Sequence, residues 1–117
     1  MEKALHANIK GFQQPNIVLL RGKVKKGLPL EKVLRLIAIK TPQLGLHQEP
    51  DEPWAFEARE FLRTAFLGLP VDFYIEHKRF GKEYGRIIVE GKDIALSLLE
   101  EGLARVEAAE DFPEASN

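Results

Sequence analysis

The sequence predicts a small α+β domain that is mainly β. Three observations point there. Apolar and polar residues alternate in several short stretches, the pattern of half-buried strands. One longer stretch with helical spacing lies between the strands rather than after them. The length of 117 residues with 44% hydrophobic content suits one domain with its own core and leaves no room for two.

The elements follow in order. Residues 1–16 have no clean period and read as an N-terminal extension or a first strand. Pro15-Asn16 then opens the apolar run Ile17-Val18-Leu19-Leu20, which passes into alternation through Lys26 and reads as a strand. Gly27-Leu28-Pro29 signals a turn, and Glu31 to Ile39 reads as the second arm of a hairpin. Pro42 ends that arm because proline cannot donate to a ladder. After a loop through Gly45, His47 and Pro50, Asp51-Glu52-Pro53 marks a helix start. Trp54, Ala58, Phe61, Leu62, Ala65 and Phe66 form one apolar stripe, read as core rather than as a base-stacking platform. Gly68 and Pro70 stop the helix.

Val71, Phe73 and Ile75 alternate with Asp72, Tyr74 and Glu76 as a further strand. His77 to Lys82 reads as a polar turn, and Tyr84 to Val89 as the strand after it. Asp93 caps a short helix that buries Ile94, Ala95, Leu98 and Leu99, and Gly102 ends it. Leu103 to Val106 pairs back as a short strand. Residues 17–106 are thus the domain, and 107–117 an acidic tail expected to fray. Short antiparallel strands with a helix inserted between them fit a partly open Greek-key barrel of the OB type.

Composition removes several classes. Without cysteine there is no disulfide framework, no Cys-based zinc site and no Cys nucleophile. No apolar run approaches the roughly 20 residues of a membrane span. The start lacks a signal-peptide apolar core, so the expected location is cytoplasm and nucleus. The net charge of −1 hides a split: residues 1–48 carry nine Lys/Arg and two Asp/Glu, whereas residues 49–117 carry eight and sixteen. Such asymmetry permits one basic face, although scattered surface charge is the plainer reading.

Leu34 to Gln43, Lys82-Glu83-Tyr84-Gly85-Arg86 and Leu99 to Ala104 together resemble the staphylococcal-nuclease-like family. The helix signature Asp51 to Leu62 is more specific and resembles the first nuclease-like repeat of its Tudor-type members, which are eukaryotic coactivators and components of RNA-silencing complexes. The resemblance implies a five-stranded OB barrel with packed helices. It also implies nucleic acid, RNA above all, as a partner, with other repeats or proteins of such a complex, and no membrane. Active members of the family hydrolyse phosphodiesters with one Ca²⁺ held by two carboxylates and a carbonyl. A glutamate serves as general base and two arginines clamp the phosphate. Hard oxygens suit that ion, and arginine forks suit phosphate.

Carried over by position, the clamp is Arg35 and Arg86, with Tyr84 as the neighbouring phosphate contact. The family's Asp-Thr-Pro-Glu is here Lys40-Thr41-Pro42-Gln43, so a metal carboxylate and the general base are replaced. The other metal aspartate belongs to the first strand or its turn, yet no Asp or Glu lies between Lys3 and Leu30. The stacking tyrosines after the second helix are also missing. The resemblance therefore implies no intact catalytic residue, no metal ligands, no expected cofactor, and nucleic-acid contacts at Arg35, Lys40, Thr41, Tyr84 and Arg86. The plainer alternatives are a rim arginine paired to an acid for Arg35 and a cross-strand salt bridge for Arg86. Glu31, Glu49, Asp51, Glu52 and Glu83 are the acids left as substitute ligands, and His6, His47 and His77 match no family role.

Overall fold

The computed structural model describes residues 3–25 and 27–107. Among them the order is β1 (Leu5–Gln14), β2 (Ile17–Lys25), β3 (Leu28–Leu36), β4 (Ile39–Lys40), α1 (Ala55–Phe66), β5 (Pro70–Arg79), β6 (Lys82–Val89), β7 (Lys92–Asp93), α2 (Ile94–Glu100) and β8 (Arg105–Val106). The long strands lie in the order β3-β2-β1-β5-β6 and are antiparallel. A short parallel pairing of Arg35 with Tyr84 and Leu36 with Gly85 joins β3 to β6 and closes a five-stranded barrel. β7 extends the edge beyond β6, and β4 pairs with β8 as a separate ribbon. The mainly-β OB barrel with packed helices is therefore the architecture.

Alternation fills the barrel. Ile9, Phe12, Val18, Leu20, Leu34, Leu36, Val71, Phe73, Ile87 and Val89 point inward and are buried. α1 covers them with Ala58 and Leu62, and α2 with Ile94, Ala95 and Leu98. Each fully buried aliphatic side chain here contributes about 1.5–3 kcal/mol. Register shifts in β1, β2 and β5 are bulges that bend the strands enough to close. α2 is capped by Asp93, whose carboxylate accepts from the Ala95 amide at 2.9 Å. Gly68 and Gly102 take positive φ where the two helices end.

Four local expectations need correction. The stretch Glu31–Ile39 is not one strand: β3 ends at Leu36, Ala38 turns the chain at φ 70, and β4 resumes at Ile39. Long-range bonds hold that break, since Ile37 N–H donates to Gly85 O and Glu107 N–H to Ala38 O. The turn at Gly27-Leu28-Pro29 is shorter than expected, because β3 already begins at Leu28. His77–Lys82 is strand at both ends, and only Phe80-Gly81 turns, both with positive φ, which matches the twist of a two-residue hairpin.

The fourth correction concerns the stripe on α1. Its buried face is Ala55, Ala58 and Leu62, with Phe61 and Phe66 packed partly against the core. Ala65 is exposed, and Trp54 is 66% exposed at the helix N-cap with φ 72. The helix starts one residue too late for the indole to share the inward face. The acidic tail lies outside the described residues apart from Glu107.

Candidate functional site

Arg35 sits on β3 between buried Leu34 and Leu36, so alternation puts its side chain on the outer face of the barrel. The residue is half-buried, and among the described residues no ion pair or hydrogen bond engages it. Tyr84 stands opposite it on β6. Tyr84 and Arg86 flank Gly85, whose Cα lies against β5, and they share that outer face. The closure of the barrel thus brings Arg35, Tyr84 and Arg86 onto one face.

Arg86 is not in the same state as Arg35. Its Nε donates to the Glu76 carboxylate, and its guanidinium lies 4.7 Å from the centre of the Tyr74 ring. Tyr74 is its register partner on β5, and the bulge between Ile75 and His77 swings Glu76 alongside. The cross-strand salt bridge is therefore present at Arg86, whereas among the described residues the acid partner considered for Arg35 is not. Burial raises the Asp93 carboxyl above the ordinary aspartate range, against the Ala95 amide and the Arg86 charge, which lower it.

Behind this face the β1–β2 turn and the loop after β4 meet. Leu36 N–H donates to Asn16 O at 2.9 Å, which sets the turn beside β3. Gln43 Nε2 lies 3.0 Å from Asn16 Oδ1 and 2.8 Å from Thr41 Oγ1. Thr41 is buried. Gln14, also buried, donates to Leu44 O at 3.1 Å and accepts from Leu44 N–H at 2.7 Å. Asp51 and Glu52 accept from the Gly45 and Gln43 amides, so their carboxylates fasten the loop to itself. Gln14, Asn16 and these two acids escaped sequence reasoning as site supports, because nothing local marks a side chain that reaches a distant backbone amide.

The chemistry of this corner is unlike that of a hard-cation site. Asn16, Thr41 and Gln43 are neutral, and Lys40 is a cation. Of the acids left as substitutes, Glu31 is paired with Lys10 and Arg21, and Glu83 with Lys32 and Lys78. Hydrogen bonds from Lys10 and Lys32 respectively hold the Glu31 and Glu83 carboxyls below the ordinary glutamate range. Among the described residues no three His, Asp or Glu stand together as a metal group. The donors present do not fit Ca²⁺, which takes six to eight oxygens with carboxylates among them.

Lys40 and Thr41 line a separate cleft of about 440 Å³ with Pro42, Trp54, Leu103 and Arg105. Lys40 pairs with Arg105 across the β4–β8 ribbon, so two cations lie on one rim of it. Arg35, Tyr84 and Arg86 do not line this cleft. The five residues expected as one site thus fall into two groups, bridged by Gln43 through Thr41 and Asn16. His6 pairs with Asp72 at the surface, 2.7 Å away, remote from either group in register.

Comparison with known proteins completes the picture. A family described as "Staphylococcal nuclease homologue" matches residues 33–117. "Staphylococcal nuclease domain-containing protein 1" of Schizosaccharomyces pombe is 38% identical over 93 residues, which is 76% of this chain and 10% of that protein. The Drosophila melanogaster protein of the same name is 30% identical over 116 residues, covering 89% of this chain and 12% of its own length. "Ribonuclease TUDOR 2" of Arabidopsis thaliana is 32% identical over 85 residues, 70% of this chain and 9% of that protein. The chain spans about a tenth of the length of these relatives.

Proposed function

This chain belongs to the staphylococcal nuclease homologue family, and from that premise we propose that it is an RNA-binding nuclease-like domain that no longer performs Ca²⁺-dependent cleavage. The observation that carries the proposal is Arg35, a half-buried arginine on the outer barrel face that no ion pair or hydrogen bond engages among the described residues, beside Tyr84 and Arg86. A half-buried cation is costly to leave unpaired, and a phosphate would satisfy it with two-point contacts. Lys40 and Thr41 add a positive, hydrogen-bonding neighbour on the other side of Gln43. The loss of cleavage follows from the donor set. The carboxylates nearest the corner of Asn16, Thr41 and Gln43, those of Glu52 and Asp51, accept from the Gln43 and Gly45 amides. Among the described residues no three acids gather there, and a glutamine amide cannot take a proton from water as a general base does. We read the domain as part of a longer cytoplasmic and nuclear coactivator or silencing protein. No helix among the described residues is long and apolar enough to cross a membrane.

Titration of a labelled RNA by fluorescence anisotropy tests this. Binding is expected at low salt, to fall as salt rises, and to weaken at least several-fold in Arg35→Ala. Salt-independent binding, or equal affinity in the variant, sinks the site. A cleavage assay with added Ca²⁺ is expected to show no turnover, and robust turnover overturns the reading of Lys40 and Gln43. One relative bears the printed name of a ribonuclease, which makes that second assay necessary.

A second reading, a protein-interaction scaffold, is favoured by exposed apolar residues at both ends of α1: Trp54, Phe56, Leu67 and Leu69. Absence of RNA binding even at low salt, together with capture of a neighbouring repeat, would favour it.

A further inference from the structure

We propose that the tip of the β5–β6 hairpin is a stacking subsite at which Phe80 receives an unpaired nucleobase, so that the domain selects single-stranded over duplex RNA. The inference rests on the RNA-binding reading above and adds the strand preference that the clamp alone does not specify.

Phe80 is 87% exposed, more than any other large apolar side chain among the described residues. It occupies the first position of a two-residue turn at φ 50, followed by Gly81 at φ 75. Asn or Asp suits such a position, because a short polar side chain tolerates the left-handed conformation. A phenylalanine there carries backbone strain and holds its ring in water, so neither the turn nor the core accounts for it. The Arg79 guanidinium lies 5.0 Å from the ring centre, over the ring face. High exposure leaves the ring open to a second planar partner. Stacking on an aromatic ring with an arginine beside it is how sequence-tolerant sites hold unpaired bases.

The surroundings are those of a polyanion site. Residues 76–86 carry Lys78, Arg79, Lys82 and Arg86 against Glu76 and Glu83, and Lys32 reaches the hairpin from β3 through Glu83. The tip is also continuous with the clamp. Tyr84, which faces Arg35, lies on the same strand as Lys82, at the foot of the turn. Phe80 lies four positions before Tyr84, at most about 13 Å away along the chain. A strand whose phosphate rests on Arg35 can therefore lay a neighbouring base on Phe80. In a duplex the bases are stacked inside and present no face to a protruding ring, whereas single strands splay theirs out.

The test is anisotropy titration of the full chain with a short single-stranded oligoribonucleotide and with its duplex at low salt, folding being checked by circular dichroism. Phe80→Ala is expected to weaken single-strand binding roughly tenfold and leave duplex binding unchanged. Phe80→Trp is expected to restore it. Arg35→Ala is expected to weaken both. If Arg35→Ala weakens binding while Phe80→Ala binds single strands as the native chain does, the stacking subsite is overturned and the clamp stands. An equal loss on both ligands also overturns it, because the ring is then a general contact. If the native chain binds neither RNA, the clamp reading falls and the subsite with it.

Discussion

Arg35 stands opposite Tyr84 across the short parallel pairing that closes the barrel, and the next pair in that register is Leu36 with Gly85. The candidate clamp and the closure of the fold thus use the same contact. Gly85 has no room for a side chain: a Cβ there would lie 1.8 Å from the Tyr74 carbonyl oxygen. The atoms it would meet are backbone of Tyr74 and Ile75, which cannot yield without opening β5 from β6. Gly85→Ala is expected to cost about 3 kcal/mol or more of unfolding free energy, measured by urea denaturation. A variant as stable as the native chain would contradict the close β5–β6 approach described here.

Glu76 holds part of the charge that the clamp could offer a phosphate. In Glu76→Gln the amide keeps the shape and releases the Arg86 guanidinium from its carboxylate. RNA affinity at low salt is expected to rise about threefold, with the gain fading as salt screens it. Stability should fall by about 1 kcal/mol or less, since the pair is partly exposed. Lowered affinity would show that Glu76 orients Arg86 rather than competing for it.

Gln14 anchors the loop between β4 and α1 by a two-point amide contact with Leu44. Gln14→Leu leaves both backbone groups of Leu44 without their partner. The expected loss is about 2 kcal/mol in thermal or urea unfolding, with faster amide exchange across residues 41–54. Unchanged exchange there would assign the loop's order to its own Asp51 and Glu52 staples.

Asp93 should make the pH profile depart from that of an ordinary carboxylate. Burial raises its folded pKa above the unfolded value, so the folded state binds this proton more tightly. Its stabilising contribution is present below the ordinary aspartate range and is lost as pH rises through the raised value. Glu83 runs the other way. The Lys32 hydrogen bond lowers its pKa, so its contribution is present above the ordinary glutamate range and lost as pH falls through the lowered value. Asp93→Asn keeps an acceptor for the Ala95 amide and removes the buried charge. It is expected to be more stable than the native chain at neutral pH, with the two converging at acid pH. Asp93→Ala, which loses the cap, is expected to cost about 1 kcal/mol. Denaturation midpoints across the pH range separate these outcomes.

Trp54 is the chain's single tryptophan and reports directly on the start of α1. At 66% exposure its emission should be that of a hydrated indole, readily quenched by acrylamide. Trp54→Gly removes a left-handed non-glycine residue and is expected to leave stability within about 1 kcal/mol of the native value. A core tryptophan would lose about 3–5 kcal/mol on truncation, so the two placements are easily told apart.

What the sequence determined by itself is what depends on neighbours within a few residues. Alternation in Val71-Asp72-Phe73 and in Tyr84 to Val89 marks strands and their inner faces, and Asp93 ahead of Ile94 marks a capped helix. Four motifs in order marked the family and its barrel. Arg35 was legible as an outward residue because Leu34 and Leu36 flank it. Tertiary structure alone decided what each outward residue meets. Whether Arg35 or Arg86 finds an acid depends on a bulge at Ile75–His77 and on a parallel pairing across 49 residues of chain. Neither leaves a local period, so sequence spacing treated the two arginines alike. For the same reason Trp54, one residue before the helix, read as part of its stripe, and Phe80 was folded into a polar turn. Periodicity records which face a residue takes within its element; the partner on that face is set by the register between elements, and only the closed barrel supplies it.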